Sequence, residues 1–470
     1  IVFPKNFIYP TPDAAPCPIG GAKLEILIFE PMCYKQLAEA FREIQKGYSP
    51  QEAVTEAFRC IKCEDAPCTK GCPADVDVPK FIRQIASRNF SGAIRVIKED
   101  NILAGICARV CPQRCLCERK CSSSELAEPI KIGLLQRFTA DWEMEKGPKP
   151  LRSLPAKGIS VAVVGSGPAG LSAATFLKRL GYDVDLFESE RYAGGVLTYG
   201  IPAYRLPKQV VCQEIEYIQS LGVKIHTEHP VQNPVSLLKT YKAVFIGAGV
   251  SRPTRLNIPG EELLGVIQAR ELLREVNLAL AQQRDFGMTL GDRVVVIGGG
   301  NAAIDAAVAA SKLGSKGVFI LYRRSEKEMP AWHEEREFAR DQGVDIQTLT
   351  SPTRFLGKNG RLSKIECVKM RLGGLDTSSR RRSTPVSGSE FCISCDTGIL
   401  AISQTPALEW EELIREPTGL IKVNEKTLET PIPGIYAGGD LIRGSDMVVR
   451  AVGDGKRAAF AIDQWIQEKN

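Results

Sequence analysis

Histidine is nearly missing from this chain, with three residues in 470: His226, His229 and His333. None is placed for a catalytic triad or a zinc site, so chemistry that depends on an imidazole base is not expected. Long hydrophobic runs are missing too. No stretch approaches the ~18 uninterrupted apolar residues of a spanning helix. The chain starts at Ile1 and shows no charged-then-apolar leader with a small-residue cleavage site. Strong charge of one sign is also lacking. A formal charge of +6 on this length argues by itself for neither nucleic acid nor membrane. The rest is ordinary globular composition, 44% apolar and 25% charged, and the length predicts about three domains.

Cysteine is plentiful. Of fifteen, nine lie between Cys60 and Cys121. In a large chain without a leader this crowding favours metal ligands over disulfides, and the cytoplasm is the expected compartment. Cys60-x2-Cys63-x4-Cys68-x3-Cys72-Pro73 places thiolates close enough to wrap one cluster face, with the Cys-Pro ending of ferredoxins. In two-cluster ferredoxins the fourth cysteine of such a run serves the other cluster. Cys107, Cys111, Cys115, Cys117 and Cys121 form a second group. Two cubanes need eight ligands, so nine cysteines overfill them by one. Zinc is the alternative, but four-thiolate zinc sites usually pair two C-x2-C knuckles, and this region has one.

Residues 1–30, rich in proline and with Gly20-Gly21, read as an irregular lead-in. A helical pattern runs from Tyr34 to Arg59, and another helix is expected over Val78–Ser87. Gly147-Pro-Lys-Pro150 reads as a linker. The strand Ile159–Val164 then runs into Gly165-Ser166-Gly167-Pro168-Ala169-Gly170, the helix Leu171–Leu180 and the strand Val184–Phe187. This is a βαβ unit with a dinucleotide fingerprint: glycines allow the tight turn, and the helix N-terminus draws the pyrophosphate. Glu188 stands where a carboxylate binds ribose hydroxyls. A second unit is expected over Arg293–Ile297, Ala302–Leu313 and Val318–Tyr322, with Gly298-Gly299-Gly300-Asn301 at its turn and Ala303 in the third fingerprint position. Arg323-Arg324 replace the acid there. Guanidinium groups clamp a 2′-phosphate where a carboxylate would repel it, which favours NADP over NAD. The plainer reading is two arginines capping a strand in solvent.

Two further features are weighed against plain alternatives. Arg380-Arg381-Arg382 reads as a solvated loop before a partner contact. Cys392-x2-Cys395 could suggest thiol–disulfide exchange, but two small buried residues is the better reading.

Taken together, Arg59–Cys68 with Gly71-Cys72-Pro73, the two glycine fingerprints, and Ala437-Gly-Gly-Asp-Leu-Ile-Arg-Gly-Ser-Asp446 through Gly455-Lys-Arg-Ala-Ala459 resemble the glutamate synthase small-subunit family. That family is related to the N-terminal half of dihydropyrimidine dehydrogenase and to the large subunit of ferredoxin–NADP transhydrogenase. The resemblance covers about residue 50 to the end. It implies an α/β protein: a helical iron–sulfur domain over 1–150, an FAD domain over 151–260 and 400–470, and an NADP domain inserted over 261–399. Gly165–Gly170, Glu188, Gly194, Gly195, Leu197, Arg205, Gly249, Gly439, Asp440, Met447 and Val448 would then surround the FAD. Gly298–Asn301 with Arg323 and Arg324 would hold NADPH. One 4Fe–4S cluster would take Cys60, Cys63, Cys68 and Cys121. The other would take Cys72, Cys111, Cys117 and Gln136, leaving Cys107 and Cys115 spare. The plain reading of Gln136 is a helix residue facing solvent. Ser403 stands where the family has glycine, which predicts a disturbed turn near the flavin.

The resemblance implies an electron-input subunit in a hetero-oligomer. Hydride would pass from NADPH to FAD, and single electrons through two clusters to a larger catalytic subunit. Hydride transfer needs stacking and orientation, with no side-chain acid or base. Glutamate synthase is the first expectation for that partner, dihydropyrimidine dehydrogenase the second and a bifurcating transhydrogenase the third. A non-catalytic scaffold and a thiol–disulfide reductase are the rivals from other classes.

Overall fold

Proline sets where the first helices begin. In the computed structural model, which describes residues 32–125, 127–376, 380–407, 410 and 412–469, the chain forms α1 (Tyr34–Ala40) and α2 (Pro50–Phe58). The expected lead-in over residues 1–30 lies outside the described residues. The single helical pattern expected from Tyr34 to Arg59 is thus broken over 41–49. Pro50 cannot continue a helix but suits a first turn, and Ser49 caps it. Glu52 N donates to Ser49 Oγ, and Ser49 N donates to the Glu52 carboxylate at 2.7 Å.

Five more helices follow: α3 (Pro67–Lys70), α4 (Val78–Ala86), α5 (Phe90–Asp100), α6 (Ala104–Val110) and α7 (Ile132–Lys146). Their apolar stripes, among them Phe81, Ile85, Ile97, Leu135 and Phe138, meet in one core. Between α6 and α7 the backbone runs through short 3-10 turns at Gln113–Cys115, Glu118–Lys120 and Ser122–Glu125.

Two parallel sheets follow. The first half of the chain's α/β region gives β1 (Ser160–Val164), α8 (Pro168–Arg179), β2 (Asp183–Phe187), α9 (Val196–Tyr199), α10 (Lys208–Ser220), β3 (Lys224–His226) and β4 (Ala243–Ile246). After β5 (Arg252–Pro253) come β6 (Val266–Gln268), α11 (Ala269–Ala281), β7 (Arg293–Ile297), α12 (Asn301–Lys312), β8 (Gly317–Leu321), α13 (His333–Asp341) and β9 (Val344–Gln347). Then β10 (Thr350–Lys358), β11 (Arg361–Leu375), β12 (Arg381–Pro385) and β13 (Phe391–Ser394) build an antiparallel outgrowth. The chain returns through β14 (Thr397–Leu400), β15 (Gln404–Thr405) and β16 (Ile435–Ala437) to α14 (Asp440–Arg443) and α15 (Val448–Glu468).

The first sheet has the order β16-β4-β1-β2-β3 and the second β6-β14-β7-β8-β9, with every pair parallel. Strands covered on both faces read as unbroken apolar runs, as Val294–Ile297 does. The second sheet is nested in the first. The outgoing β5 and returning β15 pair antiparallel as the two connecting strands. Ser403, just before β15, has none of the left-handed backbone that would require glycine. The turn therefore accepts it, and the expected disturbance is absent.

Candidate functional site

The residues of the first fingerprint gather at the C-terminal edge of the first sheet. Gly165 leaves β1 with φ +95°, and a Cβ there would lie 2.7 Å from Gly247 O, so only glycine fits. Gly167 caps α8, with Pro168, Ala169 and Gly170 forming its first turn. A Cβ on Gly170 would lie 1.8 Å from Gly165 O, so strand and helix touch backbone to backbone. Glu188 follows β2, buried beneath this turn. Its carboxylate accepts from Ser166 N at 3.0 Å, from Ser166 Oγ and from Glu190 N at 2.8 Å. Ser166 Oγ accepts in turn from Gly194 N at 2.9 Å, tying in Gly194 and Gly195. Leu197 is buried in α9, and Gly249 turns the chain beyond β4. On the β16 side Gly439 N donates to Asp454 Oδ2 at 3.0 Å. Asp440 opens α14, and burial pushes its carboxyl up to about 7. Met447 caps α15 and Val448 begins it. The N-termini of α8, α14 and α15 and the ends of β1, β4 and β16 thus border one crevice, the usual ligand position on such a sheet.

The second fingerprint repeats the geometry. A Cβ on Gly298 would meet Ala401 O at 2.2 Å and one on Gly299 would meet the Tyr322 ring at 2.4 Å, whereas Gly300 faces open space. Asn301 starts α12, and Ala303 is fully buried. The two arginines part ways. Arg323 is exposed. Arg324 is buried, its Nη2 on Asp376 at 2.5 Å and its Nε on Arg381 O at 2.8 Å, so it fastens the β11–β12 hairpin to the end of β8. The expected pair of equivalent phosphate clamps is not what the structure brings together.

The cysteines separate into two groups that cross in sequence. Cys60, Cys63, Cys68 and Cys121 face one another. Cys72, Cys107, Cys111 and Cys117 form the second group. A small cavity is lined by those four together with Gln136, Gln113 and Val449 of α15. Burial pushes the Cys72 and Cys117 thiols up and that of Cys68 up to about 11, and the neighbouring Cys107 thiol raises Cys111 as well. Among the described residues no three His, Cys, Asp or Glu side chains close tightly enough around a point for a single metal ion. Gln136 Nε2 donates to Ala104 O at 2.8 Å, leaving the amide oxygen as its other polar end. Cys115 is exposed on its turn. Cys107, expected to be spare, is buried in the second group. In the outgrowth, Cys395 is buried as expected but Cys392 is exposed, because β13 alternates its faces.

Arg205, expected beside the flavin, meets two carboxylates of the second sheet's helices. Its Nη1 lies 3.0 Å from both Asp305 oxygens, and its Nη2 donates to Glu335. Lys208, buried and pushed down to about 7 by burial, donates to Leu197 O at 2.8 Å and Ile201 O at 2.5 Å. Sequence reading missed Lys208, Asp305, Glu335 and Asn277. The one signal was an acid, Asp305, in the otherwise alanine-rich α12.

The same division appears in comparisons with known proteins. The family model for dihydropyrimidine dehydrogenase domain II, 4Fe–4S cluster, matches residues 37–148, and the pyridine nucleotide-disulphide oxidoreductase model matches 159–455. The beta subunit of an NADP(+)-dependent formate dehydrogenase from Moorella thermoacetica is 38% identical over 432 residues, covering 86% of this chain and 60% of that one. The chain therefore spans less than two thirds of that relative's length. The glutamate synthase [NADPH] small chain of Escherichia coli (strain K12) is 32% identical over 448 residues, 91% of this chain and 94% of that one. Among solved structures, Mycobacterium tuberculosis FprA in complex with NADPH shares the fold at a TM-score of 0.57 and 21% identity, over 67% of this chain and 85% of that one. Among the described residues no helix is long and apolar enough to cross a membrane. The chain belongs to the glutamate synthase small-chain family of NAD(P)H-dependent flavin and iron–sulfur oxidoreductases, with a helical iron–sulfur domain ahead of an FAD domain that an NADP domain interrupts.

Proposed function

We propose that this chain is a cytoplasmic electron-input subunit that takes electrons from NADPH and delivers them through FAD and two 4Fe–4S clusters to a larger catalytic subunit, first of all the glutamate synthase large subunit. One observation carries the reading: the cavity shared by Cys72, Cys107, Cys111, Cys117 and Gln136 is also lined by Val449, one residue along α15 from the Met447-Val448 pair assigned to the flavin. Bound at these places, FAD would accept hydride from NADPH, leaving NADP+, and the clusters would pass its two electrons on one at a time while the proton leaves to solvent. The protein's own task is to orient. Glycine turns admit the pyrophosphates, Glu188 takes ribose hydroxyls, and Arg323 meets the 2′-phosphate. Gln136, its nitrogen committed to Ala104 O, offers its amide oxygen in a cavity it shares with four thiols, those of Cys72, Cys107, Cys111 and Cys117. The glutamate synthase choice rests on the C-terminal run Ala437–Asp446.

The holoprotein should contain one FAD and about eight iron and eight acid-labile sulfide per chain. It should reduce an artificial dye with NADPH, and with the glutamate synthase large subunit it should form glutamate from glutamine and 2-oxoglutarate. A colourless protein that cannot be loaded with flavin would refute the electron-input reading. Dye reduction without glutamate formation would refute the choice of partner.

A further inference from the structure

The loop over residues 190–205 carries the glycines and Leu197 that border the flavin crevice, yet most of its anchors come from the other nucleotide domain. Asn277 Nδ2 on α11 donates to Tyr199 O and Ile201 O, both at 3.1 Å. Arg274, also on α11, pairs with Glu190 through two bonds of 2.8 Å. Tyr204 Oη donates to Asp305 at 3.2 Å. At the centre Arg205 lies between Asp305 on α12 and Glu335 on α13, all three largely buried. The Glu335 oxygen Oε2 is buried with no hydrogen-bond partner.

We propose that Asp305 and Glu335 are positioning residues for hydride transfer: through Arg205 they fix the nicotinamide-binding domain at one distance and angle from the flavin-side loop. This rests on the flavin and NADPH assignment made under Proposed function. Three observations favour positioning over simple adhesion. Two domains are held more cheaply by apolar contact, because a buried ion pair repays its desolvation only when its geometry is good. Arg205 spans both acids with its two Nη groups, Nη1 at 3.0 Å from the Asp305 carboxylate and Nη2 on Glu335, which restricts angle as well as distance. Asp305 lies one turn into α12, the helix whose first turn follows Gly298–Gly300, so a shift of the ion pair moves the coenzyme's end of the helix with it. The other charged groups facing this cluster are Lys208 on α10 and Glu334, the neighbour of Glu335 on α13.

The test is stopped-flow reduction of the FAD-loaded full chain by NADPH, separating the limiting rate from the dissociation constant. A misplacement of about 1 Å at a reacting centre costs on the order of a hundredfold in rate. Asp305→Asn and Glu335→Gln should therefore lower the limiting rate about tenfold or more, with the NADPH dissociation constant within about twofold of wild type and full FAD content. Arg205→Lys, which keeps the cation but loses the planar fork, should fall between them and wild type. An unchanged limiting rate per bound FAD in both carboxylate variants would overturn the proposal. So would a loss confined to NADPH affinity or FAD content. Should Asp305→Asn fail to fold, Glu335→Gln, at the more open edge, decides alone. Wild-type protein loaded with FAD but not reduced by NADPH would instead overturn the functional assignment itself.

Discussion

Arg323 and Arg324 are neighbours in sequence with separate tasks. Arg323→Ala should raise KM for NADPH about ten- to a hundredfold while leaving KM for NADH nearly unchanged, since a charge-assisted phosphate contact is worth about 1.5–3 kcal/mol. Arg324→Ala should mainly cost stability. It takes the cation from Asp376 and the strut from the β11–β12 hairpin, about 2 kcal/mol after allowing for the partial exposure of Asp376. Steady-state kinetics with both coenzymes, beside thermal melts, separate the two, and equal KM effects on both coenzymes for Arg323→Ala would refute the phosphate role. Gln136 gives a second test at this scale. An amide ligand leaves a cluster one negative charge lighter than a thiolate does, so Gln136→Cys should keep the cluster and lower its reduction potential. Redox titration followed by electron paramagnetic resonance reads this directly, and an identical potential in Gln136→Cys and Gln136→Ala would end the ligand assignment. Sequence could name these residues but not sort them. A dipeptide of two arginines does not show which guanidinium turns inward, and the burial of Cys107 depends on α6 packing in the helical core.

At the scale of elements, α15 joins the cluster region to the nucleotide-binding crevice. A Cβ on Gly455 would lie 2.2 Å from Ala169 O in α8, and one on Gly453 would lie 2.3 Å from Pro73 O. The Cys72-Pro73 turn and the fingerprint helix therefore both rest on the same helix, through positions without side chains. Lys456 adds a bond to Ala74 O at 3.0 Å and an ion pair with Asp100. Gly453→Val should push the Cys72 turn off α15, with an overpacking cost of about 1–3 kcal/mol, and disturb the cluster proposed for the Cys72 group before the flavin. Its resonance signal should broaden or vanish while NADPH-driven dye reduction persists. An intact signal would mean that the turn adjusts without loss. Regular elements were well marked in sequence wherever one period ruled: the βαβ units and α4 lie within three residues of expectation. The single helix expected over 34–59 failed because the apolar spacing continued across Ser49-Pro50, where the cap and the ring of proline outweigh periodicity.

For the molecule as a whole, the proposed route sets the two cysteine groups in series. The Cys72 group shares its cavity with Val449 of α15, whereas Cys60 of the other group is flanked in sequence by exposed Phe58 and Ile61. The order matters because the proposed route from flavin to partner then passes the inner group first. Removing an outer ligand by Cys63→Ser should leave NADPH oxidation with a dye, and reduction of the inner cluster, close to wild type, while delivery to the partner subunit falls to background. Removing Cys111 should stop reduction of both clusters by NADPH and still spare dye reduction taken directly from the flavin. Cys115→Ser, on its exposed turn, should leave iron content and all three activities unchanged. Freeze-quench electron paramagnetic resonance after mixing with NADPH distinguishes the two clusters by their order of appearance. An outer cluster that is still reduced at the normal rate in Cys111→Ser protein would overturn the serial route, and electrons would then leave the flavin by a path that bypasses α15.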